Sequence, residues 1–372
     1  MKDYGEWIYI QSVACVWSTH ATLRVKNGHE KVVYKDRTSL FLVMFMVLPN
    51  AVEHMKIIDK ETIDAILKYD KLIEALREIF QSSFTMPVRH HHFYQNAEGI
   101  ENTLILMPSW TDNYIGIKQV VVAPENHRKN LPAIHALYTL LDAVTGKPLA
   151  QMDAAGLTSR RTACTSALAA SYLARDDSKI LLIVGGGKVA QHLVQAHSAV
   201  RAYDQILIWT RNESKGGDLV LNLQQAGFLN VAYADKLEEA VRRADVISCA
   251  TLSHEPLING EWIKVGTHLD LIGSHTPKTR EVDDSAILKS SIFVDSRAGA
   301  LHETGELAIP IATGVLDPSS IKGDIKELCC GEIMGRSSSD EITLFKSAGL
   351  AIEDLAAALL VYRNVGKETT SV

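Results

Sequence analysis

Lys179-Ile-Leu-Leu-Ile-Val-Gly-Gly-Gly-Lys-Val-Ala-Gln-His-Leu193 is the stretch on which the fold turns. Ile180 to Val184 form an unbroken apolar run, the pattern of a strand buried on both faces, and lead through three glycines into a helical pattern. The turn reads G-x-G-x-x-A, with Gly185, Gly187 and Ala190 at the three fingerprint positions. In such a turn Gly185 permits the tight reversal, and Gly187 lets a pyrophosphate lie against bare backbone. Ala190 keeps the helix close to the strand, so that the helix N-terminus faces the phosphate charge. A glycine turn by itself is weak evidence. Its place between a strand and a helix makes dinucleotide binding the expected function.

Outward from this turn, Gln205-Ile-Leu-Ile-Trp209 is a second apolar strand, about 20 residues past the glycines, where a ribose-reading residue belongs. An NAD site usually places Asp or Glu there. This chain offers Thr210, Arg211 and Asn212, and a guanidinium suits a 2′-phosphate by charge and by its fork of donors. NADPH is therefore the expected cofactor, with NADH as the alternative; the plain alternative for Arg211 is a solvated loop residue. Residues 244–251, 267–273 and 292–295 read as further strands ending in small or polar residues. The fold class expected is α/β, a Rossmann doubly wound parallel sheet with ligands at its carboxyl edge.

Before the sheet, Glu61–Phe84 carries apolar residues at helical spacing and ends before Pro87, with Asp59 or Thr62 as cap. Strands are expected over 88–94, 102–107, 114–123 and 136–142, separated by turn signals at 96–99, 108–113 and 145–148. These make a separate α+β domain. Leu157 to Arg175 is an alanine-rich linking helix, and Ser347 to Val365 an amphipathic helix expected to return to the first domain. The first 54 residues differ in character. Leu40 to Leu48 is wholly apolar but too short to span a bilayer and too far in for an ordinary signal peptide, so residues 1–54 read as an upstream extension, with an added amphipathic or membrane-touching segment as the alternative.

The 372 residues are 47% hydrophobic and 22% charged with a formal charge of −6, an ordinary globular composition long enough for two domains. Mild acidity leaves no electrostatic footprint for nucleic acid or an anionic membrane. Cys15, Cys164, Cys249, Cys329 and Cys330 form an odd set without C-x-x-C spacing, which suits a reducing cytoplasm rather than a disulfide framework or zinc site. His90, His91 and His92 lie on one predicted strand, where side chains alternate, so a three-ligand metal site is not expected. Lys118 lies in an alternating strand among apolar neighbours. Burial beside a dry nicotinamide would lower its pKa and suit it to proton transfer; the plain alternative is an edge-strand lysine kept for solubility.

Gly116-Ile-Lys118, Leu131-Pro132, Asp142 to Leu149, Leu157-Thr-Ser-Arg-Arg-Thr-Ala163, Gly273-Ser-His-Thr-Pro277, Arg280-Glu-Val-Asp283, Val294-Asp-Ser-Arg297 and Glu341 to Ser347 together resemble the ornithine cyclodeaminase/μ-crystallin family, collinearly from about Met55 to Gly366. The resemblance implies a substrate-binding and dimerisation domain from residues 55–165 plus 320–372, a nucleotide domain over 166–319, and a homodimer. It implies that Arg89 and Arg161 bind a substrate carboxylate and that Lys118 contacts substrate and moves a proton. Arg160 cannot point the same way on a helix and is expected to be structural or solvated. Thr162 is left open between a phosphate contact and a core role. Cofactor contacts are expected from the turn residues Gly185, Gly187, Lys188, Val189 and Ala190. Others are expected from Arg161, Arg211 and Thr251, and from Ile272, Gly273, Ser274 and Ser347.

Two departures matter. His275 stands where ornithine cyclodeaminases carry an aspartate that activates the amine or water, and Ile105 stands where they carry a glutamate. Losing both carboxylates argues against a diamino-acid substrate. The pattern is similar to the branch of ketimine and Δ1-pyrroline-2-carboxylate reductases, with His275 assisting or shaping the pocket. The expected reaction is NAD(P)H-dependent reduction of Δ1-pyrroline-2-carboxylate to L-proline, and of Δ1-piperideine-2-carboxylate to L-pipecolate. Alanine dehydrogenase or ornithine cyclodeaminase chemistry stands as the alternative, and a μ-crystallin-like binder of NADP and a small ligand as the non-enzymatic one.

Overall fold

A computed structural model describes residues 21–24, 31–34 and 55–366. Residues 1–55 and 56–372 are two separate units. In the first, strands β1 (Ala21–Arg24) and β2 (Lys31–Tyr34) pair antiparallel. The apolar run 40–48 lies outside the described residues.

The second unit opens with β3 (Lys56–Ile58), α1 (Lys60–Ile66) and α2 (Tyr69–Gln81). Asp59 caps α1, its Oδ1 accepting from Thr62 N at 2.9 Å. The single helix expected over 61–84 is two. Leu67 leaves helical geometry at ψ 77° yet stays buried, so each helix turns its own apolar face to the core. Four long strands follow as a meander: β4 (His90–Gln95), β5 (Glu101–Trp110), β6 (Tyr114–Val122) and β7 (Ile134–Asp142). With β8 (Pro148–Asp153) they complete a sheet ordered β3-β8-β7-β6-β5-β4, antiparallel except for β3 beside β8. Pro108, expected in a turn, lies inside β5. Trp110 N donates to Thr85 O on the side away from β6, and Pro108 two residues earlier faces the same side beyond the end of β4. Its missing N–H therefore costs the ladder no bond.

Asp153 caps α3 (Ala154–Leu173), which leads into β9 (Ile180–Val184) and α4 (Lys188–Val200). Then come β10 (Gln205–Trp209), α5 (Glu213–Gln225), β11 (Val231–Tyr233), α6 (Leu237–Arg243), β12 (Val246–Cys249) and β13 (His268–Leu271). They are followed by α7 (Asp284–Lys289), β14 (Ser290–Val294), α8 (Arg297–Glu303) and α9 (Gly305–Ala312). The chain ends with β15 (Gly323–Asp324), α10 (Ile325–Cys330), β16 (Ile342–Lys346) and α11 (Ala351–Asn364). The eight-stranded sheet is parallel throughout, ordered β11-β10-β9-β12-β13-β16-β14-β15. Strand order reverses between β9 and β12, and the fingerprint turn follows β9 there, at the crevice that binds ligands in such sheets.

The boundary expected at residue 320 needs correction. β16 threads between β13 and β14, so residues 342–346 belong to the nucleotide-binding sheet, and the chain leaves it only at α11. The amphipathic helix expected at the C-terminus is instead buried almost all round from Ala351 to Leu359. It lies on the six-stranded sheet against β5, β6, α2 and α3, and so has no solvent face over that length.

Candidate active site

On the nucleotide side, Gly185 closes β9 with φ +130°, and a Cβ there would lie 2.6 Å from the carbonyl of Ala250 at the end of β12. Only glycine lets the two strand ends meet. Gly187 is extended at the head of α4, no side chain caps that helix, and a Cβ on Gly187 would meet nothing within 4 Å. The helix N-terminus thus opens onto free space, with Lys188 exposed beside it and Ala190 buried against the sheet. Arg211 is exposed past the end of β10, its Nη2 donating to Ser253 Oγ at 3.4 Å. These residues fit a dinucleotide: bare backbone donors, a positive helix end and a cation in the ribose region.

The loops after β12 and β13 complete this edge. Glu281 accepts from Thr251 N at 2.7 Å, from Thr251 Oγ1 at 2.8 Å and from Gly273 N at 2.8 Å. Ser274 is turned inward, its Oγ donating to Thr279 O and accepting from Gly305 N at 3.1 Å. Ser347 likewise donates inward, to Asp295 Oδ2 at 3.0 Å. His275 is exposed in the loop after β13, with Nδ1 3.0 Å from Gly273 O.

The second cluster lies where the six-stranded sheet meets α11. Lys118 is central in β6, opposite Met107 on β5 and Tyr138 on β7, and is 3% exposed. Its Nζ lies 2.6 Å from Asp354 Oδ2, and Asp354 Oδ1 accepts from Arg161 Nε at 3.0 Å. Arg161 Nη1 donates to Glu353. Burial lowers the Lys118 pKa to about 8, with Asp354 opposing that drop and Arg161 adding to it. Burial would raise Asp354, but Arg161 and Lys118 outweigh it and hold this carboxyl below its usual range. Burial pushes Glu353 up to about 7 against the pull of Arg161.

The loop 347–349 ties this cluster to the carboxyl edge of the parallel sheet. Asp295, just past β14, accepts from Ala348 N at 2.6 Å and Gly349 N at 2.7 Å. Arg89 Nη2 donates to Ala348 O at 3.2 Å and Gly349 O at 2.6 Å, and lies 3.2 Å from Glu303. All three contacts go through Nη2. Arg89 is thus bonded to this loop, and Lys118 and Arg161 to the acids of α11 that follows it, whereas no hydrogen bond or ion pair among the described residues joins His275 to them.

Other expectations resolve locally. Arg160 pairs with Asp64 and sits 6.0 Å from the Tyr69 ring, a structural role. Thr162 Oγ1 donates back to Thr158 O at 2.8 Å within α3. Of the three histidines, register places only His91 on the face of Lys118, in line with Ile105 and Val120. Among the described residues no group of three or more His, Cys, Asp or Glu is placed to hold a metal.

Sequence reasoning missed Asp354, Glu353, Asp295, Glu281 and Tyr138. The signal for the first two was present: an adjacent acidic pair opening an otherwise apolar helix, Ala351-Ile-Glu-Asp-Leu-Ala-Ala-Ala. Two carboxylates in a buried first turn need cations from elsewhere in the fold.

Fold and site define a dinucleotide-binding α/β protein whose buried lysine and two arginines gather beside the nucleotide edge. The chain matches the ornithine cyclodeaminase/mu-crystallin family over residues 49–369 and belongs to it. It is 39% identical over 310 residues to the Delta(1)-pyrroline-2-carboxylate reductase of Colwellia psychrerythraea, covering 82% of this chain and 97% of that protein. Among solved structures it is similar to the Thermococcus litoralis Delta(1)-pyrroline-2-carboxylate reductase in complex with NADH and L-proline. That likeness has a TM-score of 0.79 and 31% identity, over 86% of this chain and all, 100%, of the other. An archaeal alanine dehydrogenase dimer with bound NAD follows at TM-score 0.78 and 31% identity, over 86% of this chain and 98% of that one.

Proposed function

We propose that this protein is an NAD(P)H-dependent reductase of a cyclic ketimine acid. Its substrate is Δ1-pyrroline-2-carboxylate, giving L-proline, and the six-membered Δ1-piperideine-2-carboxylate, giving L-pipecolate, comes second. The observation that carries the reading is Lys118, a buried lysine with its pKa brought down to about 8 and its ammonium held on Asp354. A lysine kept only for solubility would stand on an edge strand in water. This one is central in its sheet and faces α11.

A nicotinamide cofactor held at this edge would supply the hydride that reduces the imine carbon. The protein's residues provide the rest. Lys118 holds a proton on Nζ at neutral pH and can deliver it to the imine nitrogen, which keeps the C=N bond electrophilic. Arg89, held by hydrogen bonds against the loop that also meets the sheet edge, offers a substrate carboxylate its guanidinium. Arg161 is engaged by Asp354 and Glu353 through Nε and Nη1, so its part in a carboxylate clamp falls to Nη2; its firmer role is to fix Asp354 beneath Lys118. Ile105 keeps the Lys118 face apolar where a carboxylate would select a second amine. His275 borders the nucleotide edge and shapes the entrance.

For the cofactor, Gly185, Gly187, Lys188, Val189 and Ala190 would hold the pyrophosphate, and Thr251, Ile272 and Gly273 the nicotinamide end. Ser274 and Ser347 support their loops from within. Arg211 favours NADPH over NADH. The outer face of the six-stranded sheet carries Leu104, Leu106, Ile117, Val121 and Leu137, all partly or fully exposed, which supports pairing with a second copy into a homodimer. Cys164, Cys249, Cys329 and Cys330 are free thiols, as suits the cytoplasm. No helix among the described residues is long and apolar enough to cross a membrane.

The test is cofactor oxidation followed side by side with Δ1-pyrroline-2-carboxylate, Δ1-piperideine-2-carboxylate, and pyruvate plus ammonia. Turnover on the cyclic imines is expected, faster on the five-membered ring. Activity confined to pyruvate plus ammonia would replace the reading with alanine dehydrogenase chemistry.

A further inference from the structure

Beneath the nucleotide edge lies a second set of buried charges that touches neither Lys118 nor Arg89. Glu281, Glu306 and Lys346 are all fully buried. Lys346, the last residue of β16, donates to Leu271 O at 2.9 Å and stands 3.6 Å from Glu306 Oε2. Glu306, in the first turn of α9, accepts the backbone N–H of Glu281. The Glu281 side chain then reaches up between two neighbouring strand ends. One of its oxygens takes both donors of Thr251, after β12, and the other takes the amide of Gly273, after β13. The loops are pressed together at this point. A Cβ on Gly273 would fall 2.0 Å from Thr251 O, 2.2 Å from Thr251 N and 2.4 Å from Glu281 Oε1.

We infer that Glu281 is a positioning residue for the cofactor: its carboxylate clamps the loops after β12 and β13 into the shape that cradles the nicotinamide. This rests on the proposed use of NAD(P)H at that edge. The clamp needs both oxygens as acceptors, because three N–H and O–H donors converge on them. Adding a proton would remove the charge that strengthens all three hydrogen bonds and so loosen the clamp. The groups facing Glu281 are Glu306 from α9, Lys346 from β16 and Cys249 from β12. Burial, then the Glu306 charge, bring Glu281 up to about 7, and Lys346 opposes them. The clamp is therefore closed above neutrality and opens as the pH falls.

The test is NADPH affinity, read by fluorescence titration from pH 6 to 8.5, in the full-length protein and in Glu281→Gln and Glu306→Gln. In the unsubstituted protein Kd should rise as pH falls through about 7. Glu281→Gln keeps one acceptor and loses the other, so its Kd should be about tenfold higher at pH 8 and flat with pH. Its KM for the imine should move far less than its KM for NADPH. Glu306→Gln still accepts the Glu281 N–H but removes the neighbouring charge, so the midpoint of the Kd curve should shift to lower pH. That shift remains readable if Glu281→Gln does not fold, and a purely structural carboxylate would not produce it. Tight NADPH binding whose Kd and pH dependence are the same in all three proteins overturns the assignment of Glu281 alone. Binding of neither NADPH nor NADH by the unsubstituted protein overturns the proposed function, and this inference with it.

Discussion

The fingerprint turn and the Lys118 cluster are built by opposite means. Gly185 to Ala190 are consecutive, and they act through what they lack: no Cβ at the strand crossing, none over the helix N-terminus, no side-chain cap. The Lys118 cluster draws its members from Arg89, Lys118, Arg161, Asp295, Gly349 and Asp354, and it acts through charges taken out of water. The first site is a property of local backbone and forms wherever that strand and helix form. The second exists only once α11 has returned onto β6 and α3, since a buried lysine without Asp354 would be an uncompensated charge. Binding and chemistry are thus assigned to different kinds of structure, which makes them separable by mutation.

Lys118→Met should separate them most sharply. Removing the proton donor should lower kcat roughly 100- to 10,000-fold, the usual worth of a positioned general acid, while the NADPH Kd stays close to that of the unsubstituted protein. Stopped-flow reduction and a parallel cofactor titration measure both. The unsubstituted protein should also lose rate above pH 8, where Lys118 gives up its proton. Near-normal turnover by Lys118→Met would mean that the cluster serves stability and the proton comes from elsewhere. Arg211→Ser works from the other side. It should weaken NADPH about tenfold or more, leave NADH almost unchanged, and spare kcat, because Arg211 stands exposed past β10 and its hydrogen bond goes to Ser253 rather than to the Lys118 cluster. Equal losses on both cofactors would show that Arg211 does not read the 2′-phosphate.

The same contrast decides what could be read from the sequence. β9 and β10 fall on the residues expected for them, because a fully buried parallel strand announces itself as a continuous apolar run between turn signals. β16 escaped, since Ile342–Lys346 carries Thr343 and ends in a charge; its place between β13 and β14 is fixed by a crossover no local pattern records. Lys118 was legible as an anomaly, a cation among apolar strand residues. Its partner was not, because Asp354 lies far along the chain and its helix reads as an amphipathic one, on which an acid is expected to face solvent. Arg161 shows the limit of reading a motif residue by residue. Its position was expected, but the side chain is committed to two acids the sequence does not place beside it.

The smallest effect tests whether those acids are a cost carried for function. Glu353 has its pKa raised by burial from an ordinary 4.5 to about 7. The folded chain therefore holds a proton that the unfolded chain has released between those two values, and stability from this group is present below pH 4.5 and lost as pH rises through 7. Glu353→Gln mimics the protonated form and still offers Arg161 an acceptor. Its Tm should match that of the unsubstituted protein near pH 4.5 and exceed it by a few degrees at pH 8, a gap that opens across the titration of Glu353. If the gap stays closed, Arg161 compensates the ionised glutamate fully, and both acids stabilise the cluster they were expected to strain. If it opens while kcat falls, the carboxylate is retained at the expense of stability for what it does to Arg161 and, through Asp354, to the proton on Lys118.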